Sequence, residues 1–154
     1  KGEADWSLIA DVKNNSRMNI PVFGNGDINT PEKALAYKNK YGVDGVMIGR
    51  ASIGNPWIFR EIKHFLKHGT HHAPPNFLEK VEAVIEHLET SIAWKGEKLG
   101  IAEMKRHYSN YFRGIVNFKD IKTNLVTSNE LDELNSILKM LIEKADMYEF
   151  SSSY

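Results

Sequence analysis

No cysteine occurs among the 154 residues. That excludes disulfides, thiolate metal sites and a cysteine acid or nucleophile from this stretch of sequence, and it fits a cytoplasmic protein. No apolar run approaches the ~20 residues that a membrane helix needs, so no membrane partner is expected. The opening KGEADWSLIADVK is polar and broken by charge, unlike a signal peptide. An excess of one charge is missing too, because Lys+Arg and Asp+Glu both number 20. Whole-chain attraction to nucleic acid is therefore absent, and any basic surface must be local. Internal repeats are absent, and low complexity is confined to the Ser151–Ser153 tail. The first residue is Lys1 and not Met, as expected of a processed chain or of the tail of a longer one.

What is present is the balance of a soluble globular protein, 42% hydrophobic and 26% charged. It falls into residues 1–69, a linker at 70–75 within the stretch THHAPPN, and residues 76–154. The first region alternates helix and strand. A helix is predicted from Asp5 to about Asn14, on the spacing of Trp6, Leu8, Ile9 and Val12. Ile20-Pro21-Val22-Phe23 is a short apolar run ending at Gly24, hence a buried strand. Thr30-Pro31-Glu32 reads as N-cap, first-turn proline and early acid for a helix that Gly42 stops. Gly45-Val46-Met47-Ile48 is a second buried strand, and a further helix is predicted from about Pro56 to Lys67. Near-continuously apolar strands separated by helices predict a parallel sheet covered on both faces. Two such strands alone leave open edges, so the chain in isolation is expected to self-associate or to rearrange its two strands.

The second region is predicted wholly helical, a small bundle. Phe77, Val81, Val84, Ile85, Leu88 and Ile92 recur at helical spacing, as do Ile101, Met104, Tyr108, Tyr111 and Phe112. Leu131, Leu134, Ile137, Leu138, Leu141, Ile142 and Ala145 form a third stripe, with a shorter helix around Phe118, Ile121 and Leu125. Asn76 with Glu79 and Thr127 with Glu130 look like capping pairs. Trp57 and Trp94 fall in apolar patterns and are expected in the core, and Trp6 is expected to pack the first helix against the sheet.

Both predicted strands end in glycine and then polar residues, Gly24-Asn25-Gly26-Asp27 and Gly49-Arg50-Ala51-Ser52. Ligands of parallel α/β proteins sit at the C-terminal strand ends. Glycine there permits close approach and frees N–H groups for an anion. Arg50 adds a fixed positive charge, and Ala51-Ser52-Ile53 is placed to start the short extra helix that often completes a phosphate site in a (β/α)₈ barrel. Two consecutive ends of this character point to a phosphorylated ligand, without saying which one.

IPVFGNGDINTPEKA and YGVDGVMIGRASIGNPWIF resemble the end of the barrel in tRNA-dihydrouridine synthases. The resemblance begins at GEADW and is strongest through Phe59. It implies the last two βα units of an FMN-binding TIM barrel, with Asn25, Gly26, Asp27, Gly49 and Arg50 in the cofactor site. Asn25 and Asp27 would then reach the ribityl hydroxyls, or Asp27 would only cap the next turn. It also implies six further strands and a catalytic cysteine elsewhere. No catalytic residue is therefore expected in this chain, which should be inactive and bind FMN weakly or not at all. A complete barrel takes ~250 residues.

Ile101-Ala102-Glu103-Met104-Lys105-Arg106-His107-Tyr108 is similar, more loosely, to a motif of that family's helical domain, a basic pair and His followed by an aromatic, here Tyr111. The resemblance implies tRNA as partner and NADPH as reductant. Helical geometry places Lys105, Arg106, Ser109 and Arg113 on one face, with Lys119 and Lys122 just beyond. Such residues would grip phosphates without reading sequence, although a basic helix face is also commonly just solvated. Glu79, Glu82, Glu86 and Glu89 make a separate acidic face. His107 either packs or stacks on a ligand, and His71-His72 lack partners for a metal and read as linker. Two other readings stand beside this one. They are a different FMN barrel, such as a dihydroorotate-type dehydrogenase, and a non-catalytic RNA-binding module.

Overall fold

The computed structural model describes residues 2–148, so the Ser151–Ser153 tail lies outside the described residues. It is mostly helical, with seven α-helices and one two-stranded parallel sheet among those residues. The chain divides into two compact units, Lys1–Pro74 and Pro75–Tyr154.

In the first unit the order is α1 (Ser7–Lys13), β1 (Phe23–Asn25), α2 (Pro31–Tyr41), β2 (Gly45–Met47), a 3-10 turn at Arg50–Ser52, and α3 (Ile58–His68). The Thr30 hydroxyl accepts the Lys33 N–H to start α2, and Gly42 ends it at φ 65°, a left-handed conformation that suits glycine. β1 and β2 pair in parallel with Gly24 opposite Val46. Trp6, Ile28, Ala34, Val43, Ile58 and Ile62 form the core, with Val22, Val46 and Ile48 packed against it. At the N-terminal end of the strands, the Asp44 carboxylate accepts from Lys13 Nζ at 2.7 Å and from the Val22 N–H at 2.7 Å. These two donors, Lys13 first, hold its carboxyl below the usual carboxylate range.

Two sequence expectations fail in the sheet. The first strand begins at Phe23 and not at Ile20. Pro21 has no N–H to donate, and the Val22 N–H goes to a carboxylate instead of a ladder carbonyl. Nor are the strands buried on both faces. Gly24 is buried, but Phe23 is 65% and Met47 56% exposed. Side chains alternate across a strand, and the described residues supply a packed layer to one side only. The Phe23 ring instead lies over Gly45.

The second unit contains α4 (Phe77–Lys95), α5 (Glu97–Tyr111), α6 (Lys119–Thr127), α7 (Leu131–Glu143) and a closing 3-10 turn at Ala145–Met147. α4 packs on α5 and α7, and α6 packs on α5 and α7. The core runs through Val81, Val84, Leu88, Met104, Tyr108, Leu125, Leu134, Leu138 and Leu141. Asn76 and Glu79 form a reciprocal capping box at the start of α4. Only Gly96, at φ 80°, separates α4 from α5. Gly100 then fits against the backbone of Ile92, where an added Cβ would lie 2.8 Å away.

Two further expectations are corrected here. Thr127 does not pair with Glu130 to cap α7. Thr127 lies in the last turn of α6, and its hydroxyl bonds back to the Thr123 carbonyl. Ser128, the first extended residue, takes the Glu130 N–H and donates to the Glu133 carboxylate. Trp94 is not in the core but 80% exposed, because it falls beyond Ser91, the last buried position of α4. Trp57 is half-buried, whereas Trp6 is fully buried.

Candidate functional site

The C-terminal ends of β1 and β2 open into a hollow of about 950 Å³. Asn25, Gly26, Asp27, Gly49 and Arg50 all line it. Asp27 sits at φ 53°, a strained conformation for a residue with a side chain. Its two carboxylate oxygens are both engaged, one by Arg50 Nη2 at 2.7 Å and the other by the Ala4 N–H at 2.8 Å. The capping role considered for Asp27 is thus not what it does, since Thr30 caps α2. Asp27 ties the N-terminal segment to the strand end and orients Arg50. The Arg50 side chain is 84% exposed, so the pair adds little stability. The guanidinium keeps donors for a further acceptor. The 3-10 turn at Arg50–Ser52 follows directly and is fastened by the Ser52 hydroxyl donating to the Gly49 carbonyl at 2.8 Å.

The glycines divide by cause. Trp6 lies beneath the first strand end, and its Nε1 donates to the Gly26 carbonyl at 3.1 Å. A Cβ on Gly24 would lie 1.9 Å from the Trp6 ring, and one on Gly26 would lie 2.3 Å from Ala4 Cβ. Packing therefore accounts for these two glycines. Gly49 differs, because a Cβ there would meet nothing within 4 Å. The sequence reading also missed Lys33 and Asn29, which line the same hollow. Nothing in the sequence sets Lys33 apart from an ordinary solvated helix lysine. Its nearest signal is position, in the first turn of the helix that follows the strand end.

The predicted basic face of the second unit is split. Arg113, Lys119 and Lys122 line a second hollow of about 450 Å³ with Ser109 and Asn117. Lys105 and Arg106 are not part of it. Lys105 Nζ donates to Asn129 Oδ1 at 2.8 Å, and Arg106 turns to Glu103 and His107. Arg113 lies past the end of α5, so the helical spacing that grouped it with Lys105 and Arg106 no longer applies. The acidic residues Glu79, Glu82, Glu86 and Glu89 are all exposed, as expected.

His107 packs edge-on to His87, with ring centroids 4.6 Å apart, and His87 Nδ1 lies 3.2 Å from the Tyr111 hydroxyl. Burial lowers the pKa of both histidines. Tyr108 is buried, its hydroxyl has no partner among the described residues, and burial pushes its pKa up to about 12. Among the described residues no group of three His, Asp or Glu side chains is placed to hold a metal. His71 pairs with Glu32 at 2.9 Å. No described helix is long and apolar enough to cross a membrane.

Strand-end glycines, an exposed arginine beside them and a following all-helical unit define a class, and comparison with known proteins gives the family. The chain belongs to the dihydrouridine synthase (Dus) family, whose model matches residues 1–146. It is 44% identical over 110 residues to tRNA-dihydrouridine synthase B of Pseudomonas putida, covering 71% of this chain and 32% of that protein. Against a probable tRNA-dihydrouridine synthase of Mycobacterium leprae it is 37% identical over 140 residues, covering 91% of this chain and 36% of the relative. A Rickettsia conorii relative of the same description is 36% identical over 121 residues, 79% of this chain and 36% of its own length. The chain thus spans about a third of the length of the curated relatives it matches.

Proposed function

We propose that this chain contributes the phosphate side of an FMN site and part of the RNA-binding surface to an enzyme that reduces uridine to 5,6-dihydrouridine in tRNA. On this reading residues 1–69 are the last two βα units of a TIM barrel, and residues 76–154 are the tRNA-binding helical domain. The observation that carries it is the convergence of Asn25, Gly26, Asp27, Gly49 and Arg50 on one hollow at the parallel strand ends. The hollow fits a phosphate-bearing group. Open space at Gly49 admits close backbone approach, and Arg50 offers an exposed, carboxylate-oriented guanidinium. Lys33 adds a second cation on the same rim.

A bound flavin supplies hydride chemistry to the uracil C5–C6 bond, with NADPH as its reductant. The residues of this chain bind and orient. Gly49 and Arg50 hold the phosphate, Asn25 offers an amide to a ribityl hydroxyl, and Asp27 fixes the guanidinium. The proton donor and the remaining strands belong to sequence outside this chain, so the chain alone is inactive and binds FMN weakly at most.

The test is Arg50→Ala in the enzyme that contains this sequence together with its upstream barrel. FMN affinity should fall about tenfold or more, as for loss of a charge-assisted contact. Unchanged flavin binding, followed by fluorescence quenching, would sink the assignment. Among the described residues the two strands pair only with each other, which supports a second expectation, that the isolated chain self-associates. A monomer at all concentrations in sedimentation velocity would count against it.

A further inference from the structure

The start of the linker folds back on the helix before it. Gly69 closes α3 at φ 70°, with its N–H on the Phe65 carbonyl at 2.8 Å, and the chain reverses there. Four of the six histidines fall between positions 64 and 72, and the reversal gathers three of them. His64 and His68 stand one turn apart on one face of α3, with ring centroids 4.7 Å apart. The His72 ring is edge-on to His64 at 5.4 Å. His71 turns elsewhere, to Phe65 and Glu32.

Two of the three rings carry hydrogen bonds of the kind that orient metal-bound imidazoles. His72 Nδ1 lies 2.8 Å from the Ala73 carbonyl. A carbonyl only accepts, so Nδ1 carries the hydrogen and Nε2 of the neutral ring keeps its lone pair. His64 Nε2 lies 3.2 Å from the Thr70 hydroxyl. With Nε2 donating there, Nδ1 keeps its lone pair. Desolvation, then the nearness of His68 and His72, holds the His64 pKa below its ordinary 6.5, and a metal requires the neutral ring. A His pair at i and i+4 on one helix face is a zinc-binding arrangement, and imidazole also suits nickel and copper.

We infer that His64, His68 and His72 form an open site for a divalent transition-metal ion. The α3 pair is the chelate, His72 Nε2 is the third ligand, and water completes the shell. Among the described residues no three donors converge on one point. Binding therefore requires the rings to turn about their side-chain bonds, which these exposed or half-buried side chains have room to do. A bound ion fastens the start of the linker to α3.

The test titrates zinc chloride into the whole chain, followed by calorimetry and by NMR of the histidine ring protons. Magnesium is the control ion, because it takes oxygen ligands. One zinc per chain should bind and shift the ring signals of His64, His68 and His72, and magnesium should shift none. His64→Gln with His68→Gln should abolish binding. His72→Gln should weaken it by more than the roughly tenfold that loss of an outer-shell partner costs. His71→Gln should leave it unchanged, and each variant is checked for unchanged circular dichroism. Absence of zinc binding, or binding that survives the α3 double variant, overturns the site. Unchanged affinity in His72→Gln overturns the three-ligand assignment, and one zinc per two chains overturns a site built within one chain.

Discussion

The two units satisfy their backbones in different ways. In the helical unit, hydrogen bonds are made within each helix, and one apolar stripe per helix is enough to close a core. Leu134, Leu138 and Leu141 of α7 are each at most 2% exposed. The βαβ unit has a good core on one side, around Trp6, but its two strands pair only with each other among the described residues. Phe23 and Met47 face outward. Helices can thus be complete in a part of a protein, whereas a sheet is complete only with its neighbours.

This difference predicts separate responses to damage. The largest effect is expected from Trp6→Ala. It removes a fully buried ring packed against Tyr37 and Tyr41 and against Gly24. The cost should be about 3–5 kcal/mol, confined to the first unit. Chemical denaturation followed by backbone probes in each unit should show one transition moved and the other not. A joint shift of both would mean that the units unfold as one. Gly100→Ala tests the second unit in the same way. A methyl pressed on the Ile92 backbone should cost about 1–3 kcal/mol, visible as a lower midpoint for α4 and α5 probes only.

The smallest effect is a pH dependence of the helical unit. His87 and His107 have pKa values depressed by burial below their ordinary 6.5. The groups facing them are Tyr111, Glu103 and Arg106. The folded state then binds fewer protons than the unfolded state just below pH 6.5. The contribution of these histidines to stability is therefore full above pH 6.5 and declines as pH falls through the folded values. Thermal melts from pH 7.5 to 5 should show this loss, and His87→Gln should flatten it. A melt that is independent of pH over that range in the wild type would refute the sign.

Local chemistry was legible in the sequence. Thr30 and the Asn76–Glu79 pair act on neighbours three residues away, Gly42 acts through its own left-handed backbone, and each works as its residue type suggests. The helical stripes were equally readable, because burial follows the 3.6-residue period. The five strand-end residues converge because parallel strands bring equivalent ends together. What escaped depends on contacts distant in sequence. That Trp6 lies under Gly24 and Gly26 is a contact across about twenty positions, and no periodicity encodes it. The same holds for the Asp27–Arg50 pair. The exposure of Trp94 and the split of the basic face depend on where a helix ends, the least certain feature of any periodic pattern.

The single-residue connection at Gly96 also bears on the order of folding. It brings α4 and α5 together through contacts near in sequence, so little chain entropy is lost in closing them. β1 and β2 meet only after the whole of α2 has been laid down between them. Contacts of low sequence separation form fastest, so the helical hairpin should be the first structure to gain hydrogen-exchange protection in a refolding pulse, ahead of the sheet.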